Sequence, residues 1–130
     1  MGPLVDTSVI VDAYGGRWTA EVRRFDALMI DGVTPATTPV VVQEVLQGVR
    51  DDAQVDVVLR NLGALEELPA PAYGAHRDAA RLYRRCRAAG LTPSTIDTLI
   101  VTVASVNGRA LLTSDQLQRR VAELAGVALA

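Results

Sequence analysis

The sequence predicts an α/β fold, a mostly parallel sheet of about five strands with helices on both faces. Two observations carry this. Short apolar runs alternate with amphipathic helical stretches along the whole chain, the pattern of parallel strands joined by helical crossovers. The 130 residues, 49% hydrophobic and 22% charged, suffice for one core and not for two. A single domain spanning residues 1–130 is expected, with no linker, repeat or low-complexity stretch.

Leu4-Val5 reads as a buried strand. Asp6 ends it, and a helix runs from Thr7 to about Tyr14, with Val9, Ile10 and Ala13 on one face. Gly15-Gly16 breaks that helix. Trp18 to Met29 is amphipathic and stops at Gly32. Val33 to Thr37 is the second strand. Thr38-Pro39 then starts a helix over Val40 to Val49, with Thr as the cap and Pro in the first turn. Asp51 to Asn61 is a further helix, opened by acids, and Leu65 to Leu68 a third strand stopped by Pro69. Ala72 to Ala89 is the longest helix. Ser94 to Asn107 is apolar nearly all round, which marks a central helix. Ala110 to Leu112 is the fourth strand, Asp115 to Ala125 the last helix, and Val127 to Leu129 a fifth strand.

Missing residue types exclude much chemistry. All 13 basic residues are arginine. With no lysine there is no Walker-type phosphate loop and no Schiff-base catalyst. The single cysteine, Cys86, forms neither an internal disulfide nor a cysteine-rich zinc site. The single histidine, His76, excludes an HExxH site, and no GxSxG elbow is present. The start lacks the basic region of a signal peptide and no run approaches the ~20 apolar residues of a membrane span, so a reducing, cytoplasmic setting is expected. Catalysis is left to carboxylates, hydroxyls, arginines, tyrosines or a hard metal ion.

Four acids fall at equivalent places in the predicted topology. Asp6 follows the first strand, Glu44 lies about a turn into the helix after the second, Asp97 is in the first turn of the apolar helix, and Asp115 follows the fourth strand. All four places lie near the carboxyl edge of a parallel sheet, where ligands bind in such folds. Carboxylates drawn together repel one another, and a divalent cation relieves that repulsion. An all-oxygen ligand set favours Mg²⁺ or Mn²⁺ over zinc. Such an ion activates water and stabilises a phosphate transition state. Each acid also has a plainer reading. Asp6 and Asp115 could cap their helices, Ser94-Thr95-Ile96-Asp97 fits a capping box, and Glu44 could face solvent. The apolar surroundings of Asp6 and Asp97 favour the shared site, because acids are rarely buried without a partner.

These pieces resemble a family. Val5-Asp6-Thr7-Ser8, Glu44-Val45-Leu46-Gln47-Gly48, Asp97-Thr98-Leu99-Ile100 and Leu111-Leu112-Thr113-Ser114-Asp115 are similar, in order and spacing, to the motifs of PIN-domain ribonucleases, specifically VapC toxins of VapBC toxin–antitoxin pairs. The resemblance covers essentially the whole chain. It implies a three-layer α/β/α sandwich and a Mg²⁺- or Mn²⁺-dependent endoribonuclease that inhibits growth as the toxin of a type II pair. It also implies a VapB-like antitoxin partner, an RNA substrate, a homodimer and no membrane association. By the same resemblance Asp6, Asp97 and Asp115 hold the metal, Glu44 completes the acidic cluster, and Thr7 and Thr113 (or Ser114) orient the acids. One departure stands out: where many relatives carry an acid or histidine followed by Phe, this chain has Leu117 and Gln118. That departure leaves open a PIN-like module that binds RNA or antitoxin without efficient turnover. A haloacid-dehalogenase type of phosphohydrolase is disfavoured by Thr7-Ser8 after Asp6 and by the absence of lysine.

Arg77, Arg81, Arg84 and Arg85 recur at helical spacing on the longest helix, as an RNA-contacting face or as an ordinary solvated one. His76 is expected at the surface and Cys86 in the core. Trp18 and Phe25 are core, interface or stacking residues. Asp12, about 240° around the helix from Asp6, should not share its ligand.

Overall fold

A computed structural model describes residues 1–130. In chain order the elements are β1 (Leu4–Val5), α1 (Thr7–Tyr14), α2 (Ala20–Ile30), β2 (Ala36–Thr37), α3 (Pro39–Gln47), α4 (Asp52–Leu62), β3 (Glu66–Glu67), α5 (Tyr73–Ala88), α6 (Thr95–Val106), β4 (Leu111–Leu112) and α7 (Gln116–Ala125). The strands form one parallel sheet in the order β3-β2-β1-β4. Leu4 lies opposite both Ala36 and Leu111, and Val5 opposite Leu112. The chain steps outward from β1 to β3, then returns past β1 to lay β4 on its other side. The carboxyl ends of β1 and β4 therefore flank the topological switch point, where parallel sheets open a ligand crevice.

The sheet is the middle layer. Helices α5, α6 and α7 pack together, and α1 packs on α2 and α3, with α3 on α4. Leu4, Val5, Leu111 and Leu112 are essentially inaccessible, as are Val101 and Ala104 of α6. That explains why most of α6 is apolar, its polar stripe narrowed to Thr95, Thr98, Thr102 and Ser105, and why β1 and β4 read as unbroken apolar pairs.

Strand lengths differ from expectation for local reasons. Ladder pairing of β2 begins only at Ala36, because Pro35 has no N–H to give; its carbonyl still accepts from Glu66 N (2.9 Å). The pairing residues of β3 are Glu66 and Glu67, both exposed at the sheet edge, while Leu65 and Leu68 are buried on either side. In place of a fifth strand there is a single bridge, Leu129 beside Leu111, after Gly126 turns the chain with φ 73°. Helix α2 starts at Ala20 because Thr19 caps it, accepting from Val22 N at 3.1 Å, and Trp18 is left outside, 60% exposed. Thr38 occupies the cap position of α3, but its hydroxyl has no partner. Its backbone carbonyl takes Val41 N and Val42 N instead (3.0 and 3.2 Å).

Arg109, just before β4, ties together the amino edge of the sheet. Its Nη1 donates to the Gly2 carbonyl at 2.9 Å and its Nη2 to Glu66 Oε1 at 2.7 Å. The guanidinium bond holds the Glu66 carboxyl below its ordinary range. Gly2 is fixed by close approach: a Cβ there would lie 2.0 Å from the Thr34 carbonyl oxygen. Arg109 is only 7% exposed whereas Glu66 is accessible, so the arginine end of this tie carries most of its value. Arg109→Met should cost about 2 kcal/mol in a urea titration, and Glu66→Gln distinctly less. Equal costs would show that the accessible ion pair, not the buried arginine, is what matters.

Candidate metal centre

The register of β1 against β4 carries Asp6 level with Thr113. Asp6 N donates to the Leu112 carbonyl at 2.8 Å, so the backbone itself holds Asp6 at the strand end. Thr113 Oγ1 and Ser8 Oγ each donate to Asp6 Oδ2 at 2.7 Å. Ser8 Oγ in turn accepts from Ser114 N at 3.0 Å, and Thr113 Oγ1 from Asp115 N at 3.1 Å. Asp6 stands at the cap position of α1 but makes no capping bond, and it is 5% exposed. Asp6 therefore does not act as a helix cap. Burial pushes its carboxyl pKa up; the Thr113 and Ser8 hydroxyls oppose this, and the nearby charges of Asp97 and Asp115 add to it.

Those two acids come from other elements. Asp97 forms the capping box of α6: its Oδ2 accepts from Ser94 N at 2.9 Å while Asp97 N donates to Ser94 Oγ at 3.1 Å. Asp115 caps α7, its Oδ1 accepting from Gln118 N at 3.0 Å. Glu44 Oε1 accepts from Thr7 Oγ1 at 2.7 Å. Each of the four acids thus gives one oxygen to the protein scaffold, and its other oxygen takes no hydrogen bond from the protein. The expected convergence is looser than a preformed cage. No three acids are gathered closely enough to hold an ion, because Asp97 and Asp115 are turned toward their own helix ends. The donor chemistry still fits a hard divalent cation: the set is all oxygen, each acid has an uncommitted oxygen, and Asp6 carries an ionisation cost that a cation would relieve.

Thr7 and Thr113 contact the acids as expected, whereas the Ser114 hydroxyl is buried without a partner. The orienting serine is Ser8. Its signal was the Asp-x-Ser spacing at the start of α1, which returns the hydroxyl to the carboxylate two residues earlier. Gln118 was also missed as a contact. It is 1% exposed, and its Nε2 donates to the Asp97 carbonyl at 3.1 Å.

The arginines of α5 divide. Arg85 Nη2 donates to the Leu124 carbonyl at the end of α7 (3.0 Å), Arg81 pairs with Asp78 (3.4 Å), and Arg77 and Arg84 have no protein partner. Arg84, exposed His76 and Tyr83 line a groove of about 340 Å³ against Thr95 and Thr98 of α6. Cys86 is in the core, where burial pushes its thiol pKa up. Asp12 pairs with Arg17 at 3.1 Å. Phe25 lines a second groove, of about 360 Å³, between α1, α2 and α4. No helix is long and apolar enough to cross a membrane.

The profile of the PIN domain matches residues 4–124. The chain belongs to the PIN-domain family. No protein of curated function matches it in sequence. In fold, the PIN domain is similar to a chain of VapBC2 from Rickettsia felis, bound to a DNA fragment from its promoter (TM-score 0.79, 19% identity, 100% of this chain and 98% of that chain covered). It is also similar to chains of a toxin–antitoxin complex from Klebsiella pneumoniae (0.67, 17%, 85% and 83%) and of FitAcB from Neisseria gonorrhoeae (0.66, 17%, 97% and 94%).

The raised pKa of Asp6 has a sign that can be read in stability. In the folded PIN domain this carboxyl holds its proton to higher pH than in the unfolded chain. Its stabilising contribution is full below the unfolded value and is lost as pH rises through the folded one. In chelator at neutral pH, Asp6→Asn should therefore melt a few degrees higher than wild type, since an amide oxygen still accepts from Ser8 and Thr113. The advantage should vanish near and below pH 3.8, the ordinary value. A lower melting temperature at neutral pH would mean that Asp6 is not strained by its ionisation.

Proposed function

We propose that this PIN domain is a divalent-cation-dependent endoribonuclease and the toxin member of a toxin–antitoxin pair. The observation that carries the reading is Asp6, buried at the β1–β4 switch point and oriented by two hydroxyls, its carboxyl pKa raised by burial and, to a smaller extent, by the charges of Asp97 and Asp115. PIN domains are generally nucleases, and the structural neighbours include a toxin–antitoxin complex and VapBC2; both support it.

In this reading Asp6, Asp97 and Asp115 would hold Mg²⁺ or Mn²⁺, and Glu44 would complete the negative rim. When bound, the ion supplies Lewis-acid activation of water and charge stabilisation at the phosphate. Ser8 and Thr113 fix the Asp6 carboxylate, leaving its Oδ1 uncommitted. Thr7 does the same for Glu44; Asp97 or Glu44 would then take a proton from the incoming water. The amino ends of α1, α3, α6 and α7 face this edge, and their partial positive charge favours both the ionised acids and an approaching phosphate.

Wild type incubated with a structured RNA should cleave it with Mn²⁺ and stop with chelator. Asp6→Asn and Asp97→Asn should each lose about 100-fold or more. Cleavage that persists in chelator, or in both variants, would overturn the reading. A module that binds RNA without turnover is the second reading, favoured by the ungathered acids. It predicts RNA binding with no products under any metal condition.

Arg77 and Arg84, the α5 arginines without protein partners, are the proposed phosphate contacts. The double variant Arg77→Ala/Arg84→Ala should weaken RNA binding and lower the salt slope by about 0.7 per lost contact. An unchanged slope would assign them to an ordinary solvated surface. For the antitoxin, the apolar groove of Ile10, Tyr14, Phe25 and Met29, with exposed Trp18 beyond it, is the proposed seat of an amphipathic segment.

A further inference from the structure

Gln118 is the least expected side chain in the core. The neighbouring inward positions of α7, Val121 and Ala122, are apolar and inaccessible, and Gln118 is buried equally deeply. Its Nε2 donates to the Asp97 carbonyl at 3.1 Å, but its Oε1 is buried with no partner at all. A buried acceptor left unsatisfied is destabilising relative to an apolar side chain of the same shape. A residue chosen for packing alone would be Met or Leu. Gln118 spends stability, and the one thing the amide makes in return is the bond to Asp97.

With that bond, one residue links two of the acids. Gln118 N donates to Asp115 Oδ1, and its side chain reaches the carbonyl of Asp97 in the first turn of α6. One residue therefore touches both acids, holding the start of α7 against the start of α6. The two carboxylates repel across this gap, and neither has a basic partner to restrain it. We propose that Gln118 is a positioning residue, whose amide bond to the Asp97 carbonyl sets the separation of Asp97 and Asp115 for a shared divalent cation. This rests on the metal-dependent reading above. It also gives the departure at this position a role: a rigid tie between the two helix ends takes the place of an apolar wedge.

The test separates stability from affinity. Gln118→Met and Gln118→Leu keep the apolar bulk and remove the donor. Melting in chelator and calorimetric titration with Mn²⁺ are compared for wild type, both variants, Asp6→Asn and Val121→Ala. The last is a core truncation on the same helix, away from the acids. The proposal expects at least one Gln118 variant to melt at or above the wild-type temperature while Mn²⁺ affinity falls about tenfold or more. Val121→Ala should melt lower with affinity within about twofold. Folded Gln118 variants with wild-type affinity would overturn the proposal. So would an equal loss of affinity in Val121→Ala, which would make loosening of α7 the cause. Lower melting temperatures for both Gln118 variants than for wild type would also count against it, by showing the amide to be a net structural gain. Failure of wild type to bind Mn²⁺ in an Asp6-dependent way would instead remove the metal-dependent reading, and this inference with it. The two failures thus appear in different samples.

Discussion

Asp6 is bonded through Thr113 across the β1–β4 boundary, and much of the site depends on that contact. A carboxylate at the end of a buried strand has lost most of its water, and burial alone drives it toward the neutral form. Two hydroxyls, one from α1 and one just past β4, hand back part of that solvation through a single oxygen. The arrangement needs β1 and β4 to be neighbours in the register observed. A slip of one residue would turn Thr113 to the opposite face of the sheet. The apolar pairs Leu4-Val5 and Leu111-Leu112, which fix that register by burial, thereby also fix the site.

The two edges of the sheet divide the work. At the amino edge, Arg109 and Gly2 close the structure with a bonded, partly accessible charge pair and a backbone approach too tight for any side chain. Nothing there is left uncompensated beyond one guanidinium nitrogen. The carboxyl edge is the reverse. It gathers like charges, buried hydroxyls without partners at Thr37, Thr38 and Ser114, and a glutamine with an orphan acceptor. Destabilising features collected on one edge are what a binding site costs a fold, and their location at the switch point agrees with where such sheets bind ligands.

Much of this was legible in the residues. The alternation of apolar pairs and helical stretches gave every strand and helix to within a few positions, because Gly, Pro and capping residues punctuate each boundary. The order of the strands was not readable: apolar pairs such as Leu4-Val5 and Leu111-Leu112 look alike, and only packing decides which are adjacent. The fifth strand was overread for a related reason, since Val127 to Leu129 has strand composition but only one neighbour to pair with. Among the candidate residues, Asp6 and Asp97 stand out by charge in apolar surroundings, whereas Thr7 and Thr113 are named only through the family resemblance. Ser8 bonds Asp6 and the Ser114 hydroxyl does not, because hydroxyl direction depends on the turn after each strand. Gln118 was hidden because a polar residue on an amphipathic helix is ordinarily read as facing water.

The account stands on the carboxyl edge being one site rather than four separate helix ends. The direct measurement is backbone NMR of the metal-free protein with substoichiometric Mn²⁺, whose unpaired electrons broaden nearby amides. The account predicts simultaneous loss of the amide signals around Asp6, Asp97 and Asp115, with those around Arg109 and Gly2 unaffected. Broadening confined to one helix end, or spread over the surface acids with those three regions spared, would contradict it.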